Sequence, residues 1–346
     1  MPPPHDGSVT EPVLRFAPSP NGRLHLGHAY SALLNWEVAV RLAGRCLLRI
    51  EDIDPGRSRP ELIVAIEEDL AWLGLSYARP VRRQSEHLGF YREALEGLIR
   101  RGLAYPCFCS RGTIAARVAE LEGQGRAVQH DPDGAPLYPG TCRSLSSAQA
   151  EARIAGGDPH TWRLDMMRAL AMAPQPHRFR CFAASDAPSA GAGTLPPLRE
   201  RGTPSLGTEL PSADPRSREG HPLPLIGEGM RVIIENEHEA TADPARWGDA
   251  VIARRDVPTS YHLSVVLDDD AQGITHVVRG EDLRAATDLH VLLQRLLGLS
   301  SPAYCHHRLL LAESGEKLAK SRGSESLGDL RARGVTAEKV REKLGF

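Results

Sequence analysis

The chain lacks any long hydrophobic run; none of its apolar stretches approaches the roughly 20 residues that a membrane-spanning helix needs. Its N-terminus, MPPPHDGSVTEP, has no basic segment followed by an apolar one, so no secretory signal is expected, and the expected location is cytoplasmic. There is no excess of one charge. The 42 Lys and Arg stand against 44 Asp and Glu, a formal net charge of −2. That balance argues against indiscriminate binding to nucleic acid but leaves room for a local basic face. Cysteine is scarce, with six among 346 residues. In a chain of this size with no signal they do not form a disulfide framework. Cys46 and Cys305 lie among apolar neighbours and read as packing residues. Cys107 and Cys109, two apart, do not.

The remaining composition, 41% hydrophobic and 25% charged, is that of an ordinary globular protein long enough for two modest domains or one large domain with insertions. PVLRF reads as a short buried strand. It is followed by RFAPSPNGRLHLGHAY, which crowds two prolines, two glycines and two histidines into one loop. From His25 or Leu26 to about Leu42 the apolar residues Leu26, Tyr30, Leu33, Leu34 and Val38 recur at helical spacing, and Gly44 ends the pattern. RCLLRI is a second strand. Strand, loop, helix, strand is a βαβ unit and implies a parallel sheet. Further helices are expected within Pro60–Leu73 and over Ser85–Arg101. YHLSVVLDD and ITHVVRG read as strands, and DLRAATDLHVLLQRLLG as an amphipathic helix closed by Gly298.

Two segments depart from this regularity. Pro106 to about Arg143 is rich in turn residues and carries cysteines at both ends. Three cysteines so spaced suit a tetrahedral structural zinc, and by ligand chemistry alone His130 is the natural fourth ligand. The other segment, Ala173 to Gly229, holds ten of the 27 prolines. It buries too little apolar surface to offset chain entropy and reads as a disordered, dispensable insertion.

The loop before the first helix also suggests chemistry. Free N–H groups and the helix dipole attract phosphate there, and His25 and His28 at the mouth can donate to a phosphate whose charge rises during attack. GEKLAKSRG, Gly315–Gly323, fits a second element that closes over the same phosphates, with two lysines three apart between glycines.

His25-Leu26-Gly27-His28 resembles the HIGH motif of class I aminoacyl-tRNA synthetases, and Lys317-Leu318-Ala319-Lys320-Ser321 resembles their KMSKS loop. Leu318 and Ala319 replace Met and Ser, and Lys320 is retained. RFAPSPNGRLHLGHA, LLRIEDID, SYHLSVVLDD and VVRGEDL are similar to the glutamyl subgroup. Only 25 residues follow Ser321, too few for a helical anticodon-binding domain. With the cysteine-bearing segment, this resembles the glutamyl-queuosine tRNA(Asp) synthetase family. The resemblance implies an α/β fold: a Rossmann-type parallel sheet with helices on both faces, a zinc-bearing insertion and a short helical C-terminal part. It divides the chain into a flexible tail (1–12), a first catalytic half (13–105), the zinc insertion (106–160), a connecting region (161–250), a second catalytic half (251–300) and a C-terminal part (301–346).

The resemblance also implies roles. Arg15 and Arg279 take glutamate carboxylates, Glu51 takes the ammonium, Tyr261 adds a hydroxyl and a wall, and Phe16, Ala17, Pro18 and Ser19 complete the amino-acid site. His25, Gly27, His28, Lys317 and Lys320 serve ATP, with Asp282 or Glu281 at the ribose. His25, His28 and Lys320 are the catalytic set. Mg²⁺ accompanies ATP. One structural zinc lies on Cys107, Cys109, Cys142 and, on the family pattern, Tyr138. The implied partners are L-glutamate, ATP and queuosine-bearing tRNA(Asp), with no membrane and a monomeric state. Two other readings stay open: a shortened glutamyl-tRNA synthetase charging a tRNA 3′ end, and an inactive zinc-bearing RNA-binding paralogue.

Overall fold

The computed structural model describes residues 11–173, 175–186, 232–234, 237–311 and 325–346. Most of the N-terminal tail, most of the Pro-rich span, and Lys317 and Lys320 with their loop lie outside the described residues. The chain begins with β1 (Val13–Phe16), α1 (Leu26–Arg41), β2 (Arg45–Ile50), α2 (Pro60–Trp72), the two-residue β3 (Arg82–Arg83) and α3 (Leu88–Arg100). Next come β4 (Ala104–Cys107), α4 (Arg111–Gly123), α5 (Ser147–Ala155), β5 (Thr161–Leu164), α6 (Met166–Met172), β6 (Arg178–Cys181), β7 (Ala184–Asp186), β8 (Val232–Ile234) and β9 (His238–Thr241). The last elements are β10 (Val251–Ala253), α7 (Tyr261–Ala271), β11 (His276–Gly280), α8 (Ala286–Leu297), β12 (Ala303–His307), α9 (Leu327–Ala332) and α10 (Ala337–Leu344).

β1, β2 and β3 pair in parallel, with Arg15 opposite Leu47 and Ile50 opposite Arg83. β11, β12 and β6 also run parallel, and β9 closes that edge antiparallel. The two parallel groups meet between β1 and β11, where the Thr275 N–H donates to the Val13 carbonyl at 2.9 Å and the Val13 N–H donates to Thr275 Oγ1 at 2.8 Å. The chain leaves β1 toward β2 on one side and β11 toward β12 on the other. This is a topological switch point, and such sheets bind ligands outside the strand C-termini there.

Alternate residues of β1 and β2 face opposite layers, as the period of two requires. Leu14, Phe16, Leu48 and Ile50 pack with Tyr30, Leu33 and Leu34 of α1, Ile66 and Leu70 of α2, Leu330 of α9 and Val340 of α10. On the other face Val13, Val277 and Tyr304 meet Val291 of α8. A second core joins α3, α6, α7 and α8 to the β4–β5–β10 sheet through Leu98, Ala169, Leu263, Leu292 and Ile252. Among the described residues no helix is long and apolar enough to cross a membrane.

Three expectations from the sequence change. YHLSVVLDD is not a strand but α7. Leu263, Val265, Val266 and Leu267 are all buried, and a continuous apolar run does not distinguish a helix buried on every side from a buried strand. The Ala173–Gly229 span is not wholly without structure: Arg178–Cys181 is β6, inside the main sheet. Its alternation, Arg178 and Arg180 exposed with Phe179 and Cys181 turned inward, is a period-two pattern masked by the surrounding prolines. The turn-rich Pro106–Arg143 segment contains the 13-residue α4, capped by the Ser110 hydroxyl, which accepts from the Thr113 N–H.

Candidate active site

A cleft of about 1180 Å³ opens at the C-terminal ends of β1, β2, β11 and β12. Arg15, Phe16, Ala17, Pro18 and Ser19 line it from β1 and the following loop. His25, Gly27 and His28 line it from the start of α1. Glu51 follows β2, Tyr261 opens α7, and Arg279 and Asp282 come from β11 and the turn after it. The described residues singled out for glutamate and ATP thus meet in one cavity, except Glu281. That carboxylate turns away to pair with Arg284 at 2.5 and 2.7 Å. A Cβ on Gly280 would press on Asp282 Oδ1 and lie 3.0 Å from Leu309 Cδ2, so glycine permits this position of the Asp282 carboxylate.

One side of the cleft is a buried chain of charges. Arg15 Nε donates to Asp269 Oδ1 at 3.1 Å. Arg49 Nη1 donates to the same oxygen at 2.8 Å and Arg49 Nη2 to Glu51 Oε1 at 3.3 Å. Arg15 is therefore one half of a buried ion pair. Burial pushes the Asp269 carboxyl up, but Arg15 and Arg49 overcome this and hold it below its ordinary value. Glu51 comes out the other way: burial raises its carboxyl, and Arg49 and Arg15 only partly offset this. A cationic group beside Glu51 would complete its neutralisation. The Glu51 N–H donates to the Pro18 carbonyl at 3.1 Å, tying the loop after β1 to the end of β2.

Across the cleft Arg279 is only 5% exposed. Its Nη2 donates to Thr287 Oγ1 at 2.7 Å, Nη1 to His290 Nδ1 at 3.1 Å and Nε to His306 Nε2 at 3.3 Å.

The α1 N-terminus is capped by its own histidines. His25 Nδ1 accepts from the Gly27 N–H at 3.1 Å, and His28 Nδ1 accepts from the His25 N–H at 3.2 Å. With Nδ1 of each ring accepting, a neutral imidazole carries its hydrogen on Nε2. A Cβ on Gly27 would lie 3.0 Å from His25 Cε1, so glycine permits this ring position.

The sulfurs of Cys107, Cys109 and Cys142 lie within 4.8 Å of one another, an arrangement able to hold a metal ion. Cys109 Sγ is 3.5 Å from Cys142 Sγ and 3.4 Å from the Tyr138 hydroxyl. A tetrahedral ion with metal–sulfur bonds of about 2.3 Å sets sulfurs about 3.8 Å apart, so the donor set fits without large movement. Burial pushes the Cys107 thiol up, but hydrogen bonds from Tyr138 and Arg163 leave it below its ordinary value, whereas burial pushes the Cys109 thiol up to about 11, so a bound cation would have to displace that proton. His130 is exposed and is not part of this cluster; it lies in a bridge with Pro136. The choice made on ligand chemistry therefore fails, because the turn that brings Tyr138 to the sulfurs carries His130 away from them.

Sequence reading missed Asp269, Arg49, Thr287, His290 and His306. The two acidic residues of SYHLSVVLDD were visible, but only α7 turns Asp269 toward β1.

The family described as tRNA synthetases class I (E and Q), catalytic domain, matches residues 12–182 and 232–345. A glutamyl-Q tRNA(Asp) synthetase of Rhodobacter capsulatus is 38% identical over 337 residues, spanning 96% of this chain and 100% of that protein. One of Symbiobacterium thermophilum is 35% identical, spanning 96% of this chain and 85% of its own length. A glutamate–tRNA ligase 2 of Nitrosococcus oceani is also 35% identical over 94% of this chain, but the chain spans only 56% of it. The crystal structure of a glutamate-tRNA synthetase from Elizabethkingia anophelis superposes with a TM-score of 0.60 at 24% identity. It covers 90% of this chain and 53% of that one, a likeness of fold over about half of the longer protein. On this sequence and fold evidence, the chain belongs to the class I tRNA synthetases of the E and Q group, and within them to the glutamyl-Q tRNA(Asp) synthetases.

Proposed function

We propose that the chain activates L-glutamate with ATP to glutamyl-adenylate and transfers the glutamate to the queuosine base at the wobble position of tRNA(Asp). The observation that carries this reading is the charge arrangement of the cleft. A partly buried carboxylate raised by desolvation, Glu51, faces the same cavity as two buried guanidiniums, Arg15 and Arg279. An amino acid with one ammonium and two carboxylates complements that set, and forked guanidiniums suit carboxylates.

In this reading Arg15 and Arg279 hold the carboxylates and Glu51 the ammonium. Tyr261 walls the site, with Phe16, Ala17, Pro18 and Ser19 beneath. The ATP phosphates lie against the α1 N-terminus, where His25 and His28 offer Nε2–H and Gly27 allows close approach. Asp282 takes the ribose. Lys317 and Lys320 act on the phosphates, with Lys320 bearing on the charge that develops. A glutamate carboxylate oxygen attacks the α-phosphorus, the bond to the bridging oxygen breaks, and pyrophosphate leaves with the electron pair. No side chain acts as a nucleophile. Rate comes from alignment and from cations and N–H donors at the developing charge. Mg²⁺ travels with ATP, neutralising phosphate charge.

Cys107, Cys109, Cys142 and Tyr138 would hold one structural zinc. A metal there would tie the end of β4 to the turn before α5. The queuosine acceptor rests on the names of relatives that match this chain over 100% and 85% of their own length.

Glutamate-dependent exchange of pyrophosphate into ATP, measured without tRNA, tests activation, and its absence would sink that step. Transfer of labelled glutamate to tRNA(Asp) with queuosine, to tRNA(Asp) without it and to tRNA(Glu) tests the acceptor. Labelling of tRNA(Glu) at its 3′ end instead would mark a shortened glutamyl-tRNA synthetase.

A further inference from the structure

The buried arginines of the cleft are treated in two ways. Arg15 and Arg49 share the Asp269 carboxylate. Among the described residues Arg279 has no carboxylate within 4.0 Å, and it donates to three uncharged acceptors, His306, His290 and Thr287. A buried cation without a counter-charge is costly, so the arrangement calls for a reason.

The hydrogen bonds fix the protons. A guanidinium only donates, so His290 Nδ1 and His306 Nε2 must be bare. The neutral His290 then carries its hydrogen on Nε2 and donates it to His262 Nδ1 at 3.1 Å. Thr287 Oγ1 accepts from Arg279 and points its own hydrogen at His306 Nε2 at 3.0 Å, sharing that nitrogen's single lone pair with Arg279 Nε at 3.3 Å. His306 thus bears its hydrogen on Nδ1. Every proton has one place, and none is left to add charge beside the guanidinium.

Burial first, then Arg279, His262, Arg15 and His306, hold the His290 imidazole well below its ordinary value. His306 is lowered to about 2 by burial, Arg279, Arg284 and His307. His262 is lowered to about 4 by burial and Arg279.

We propose that His306, His290 and Thr287 form a neutral cradle that orients the Arg279 fork while leaving its full positive charge for a carboxylate of the amino-acid substrate. They are positioning residues: they bind the cation in three directions and compete with the substrate for none of its charge. The inference rests on the reading of Arg279 as a glutamate contact.

The test compares replacements of the same shape but different charge, His306→Gln and His306→Glu, in pyrophosphate exchange. His306→Gln keeps an uncharged acceptor and is expected to raise the glutamate KM less than about threefold. His306→Glu holds Arg279 at least as firmly but neutralises it. It is expected to raise that KM at least about tenfold, the scale of one charge-assisted contact, with the ATP KM changed less than about twofold. A merely structural role would move both variants alike, and equal glutamate KM values would overturn the proposal. Should a His306 variant fail to fold by circular dichroism, His290→Asn and His290→Asp make the same comparison. Arg279→Gln separates the two levels. If it leaves the glutamate KM unchanged, the assignment of Arg279 fails and the cradle with it. If it raises KM while the charged and uncharged variants agree, only the cradle fails.

Discussion

Arg49 Nη1 donates to Asp269 Oδ1 over 2.8 Å, with the Arg49 side chain wholly buried and that of Asp269 only 5% exposed. The same oxygen also holds Arg15, so one carboxylate fixes two cations on adjacent strands. Asp269→Asn should leave both guanidiniums without their main counter-charge and cost about 3–5 kcal/mol, the scale for breaking a buried pair. The depressed Asp269 value gives the pH sign. Its contribution is present above the unfolded carboxyl value of about 3.9 and is lost as pH falls through the lower folded value. Urea unfolding at pH 7 and at pH 3 checks both. A variant as stable as the parent at pH 7 would remove Asp269 from this role.

Glu51 behaves in the opposite sense. Its folded value is raised, chiefly by burial, so its contribution to stability is present below the unfolded value and is lost as pH rises through the folded one. Glu51→Gln, a mimic of the protonated form, should not lower the thermal midpoint at pH 7, yet should abolish glutamate binding by removing the partner proposed for the ammonium. In the parent, glutamate affinity should decline on the acid side above the ordinary glutamate range of about 4.3. Calorimetric titration across pH reads this directly, and an acid limb at or below that range contradicts it.

The first half of the site was legible because its signals are local. Arg15 to His28 lie in one strand–loop–helix turn, and the apolar spacing from Leu26 to Val38 declares the helix that follows. Asp269, His290 and His306 were not legible. Each gains meaning only from a neighbour elsewhere in the chain: Asp269 from Arg49, 220 residues away, and His290 and His306 from Arg279. β6 was hidden for a compositional reason, since four residues of alternating burial cannot stand out beside so many prolines.

At the cysteine cluster, geometry separates two candidate fourth ligands. The Tyr138 hydroxyl lies 3.4 Å from Cys109 Sγ and accepts from the Cys142 N–H at 2.9 Å, whereas His130 is exposed and outside the cluster. Cys142→Ser should abolish binding of the proposed zinc and loosen the segment between β4 and α5, because a structural site contributes directly to folding. Tyr138→Phe should weaken retention against a chelator, and His130→Ala should not. Elemental analysis after dialysis decides it, and loss of metal in His130→Ala alone would reverse the assignment.

The Pro-rich span can be bounded by pairing rather than composition. β7 and β8 are antiparallel neighbours, with Asp186 opposite Val232, and the family match resumes at 232. The two ends of 187–231 therefore stand at the distance a hairpin turn spans. Replacing 187–231 by a short Asn-Gly turn should preserve glutamate activation within about tenfold, roughly 1.4 kcal/mol in barrier height. A folded variant that loses more would show that these residues take part in the reaction.

Gly27 offers a separation of stability from rate. It lies in the first turn of α1, where Ala is the better helix former by up to about 1 kcal/mol. Gly27→Ala should therefore change the thermal midpoint little, the better helix propensity offsetting any weakening of the His25 cap. The new Cβ, however, would sit 3.0 Å from His25 Cε1 and 3.1 Å from Nδ1. Either the ring gives way by a few tenths of an ångström or the Nδ1 cap on the Gly27 N–H lengthens. In both cases His25 Nε2 leaves its place at the mouth of the helix, where the proposed reaction needs a donor aligned with the phosphate. Misplacing a group that acts chiefly in the transition state lowers kcat and kcat/KM together, here by about tenfold or more. Glutamate affinity should hold, since Arg15, Glu51 and Arg279 stand on the strand ends and do not touch this turn. Rapid-quench measurement of adenylate formation, with glutamate titration and thermal melts on the same preparation, reads all three quantities. A stable Gly27→Ala protein with parental activation rate would mean that the His25 position is not what the helix mouth supplies.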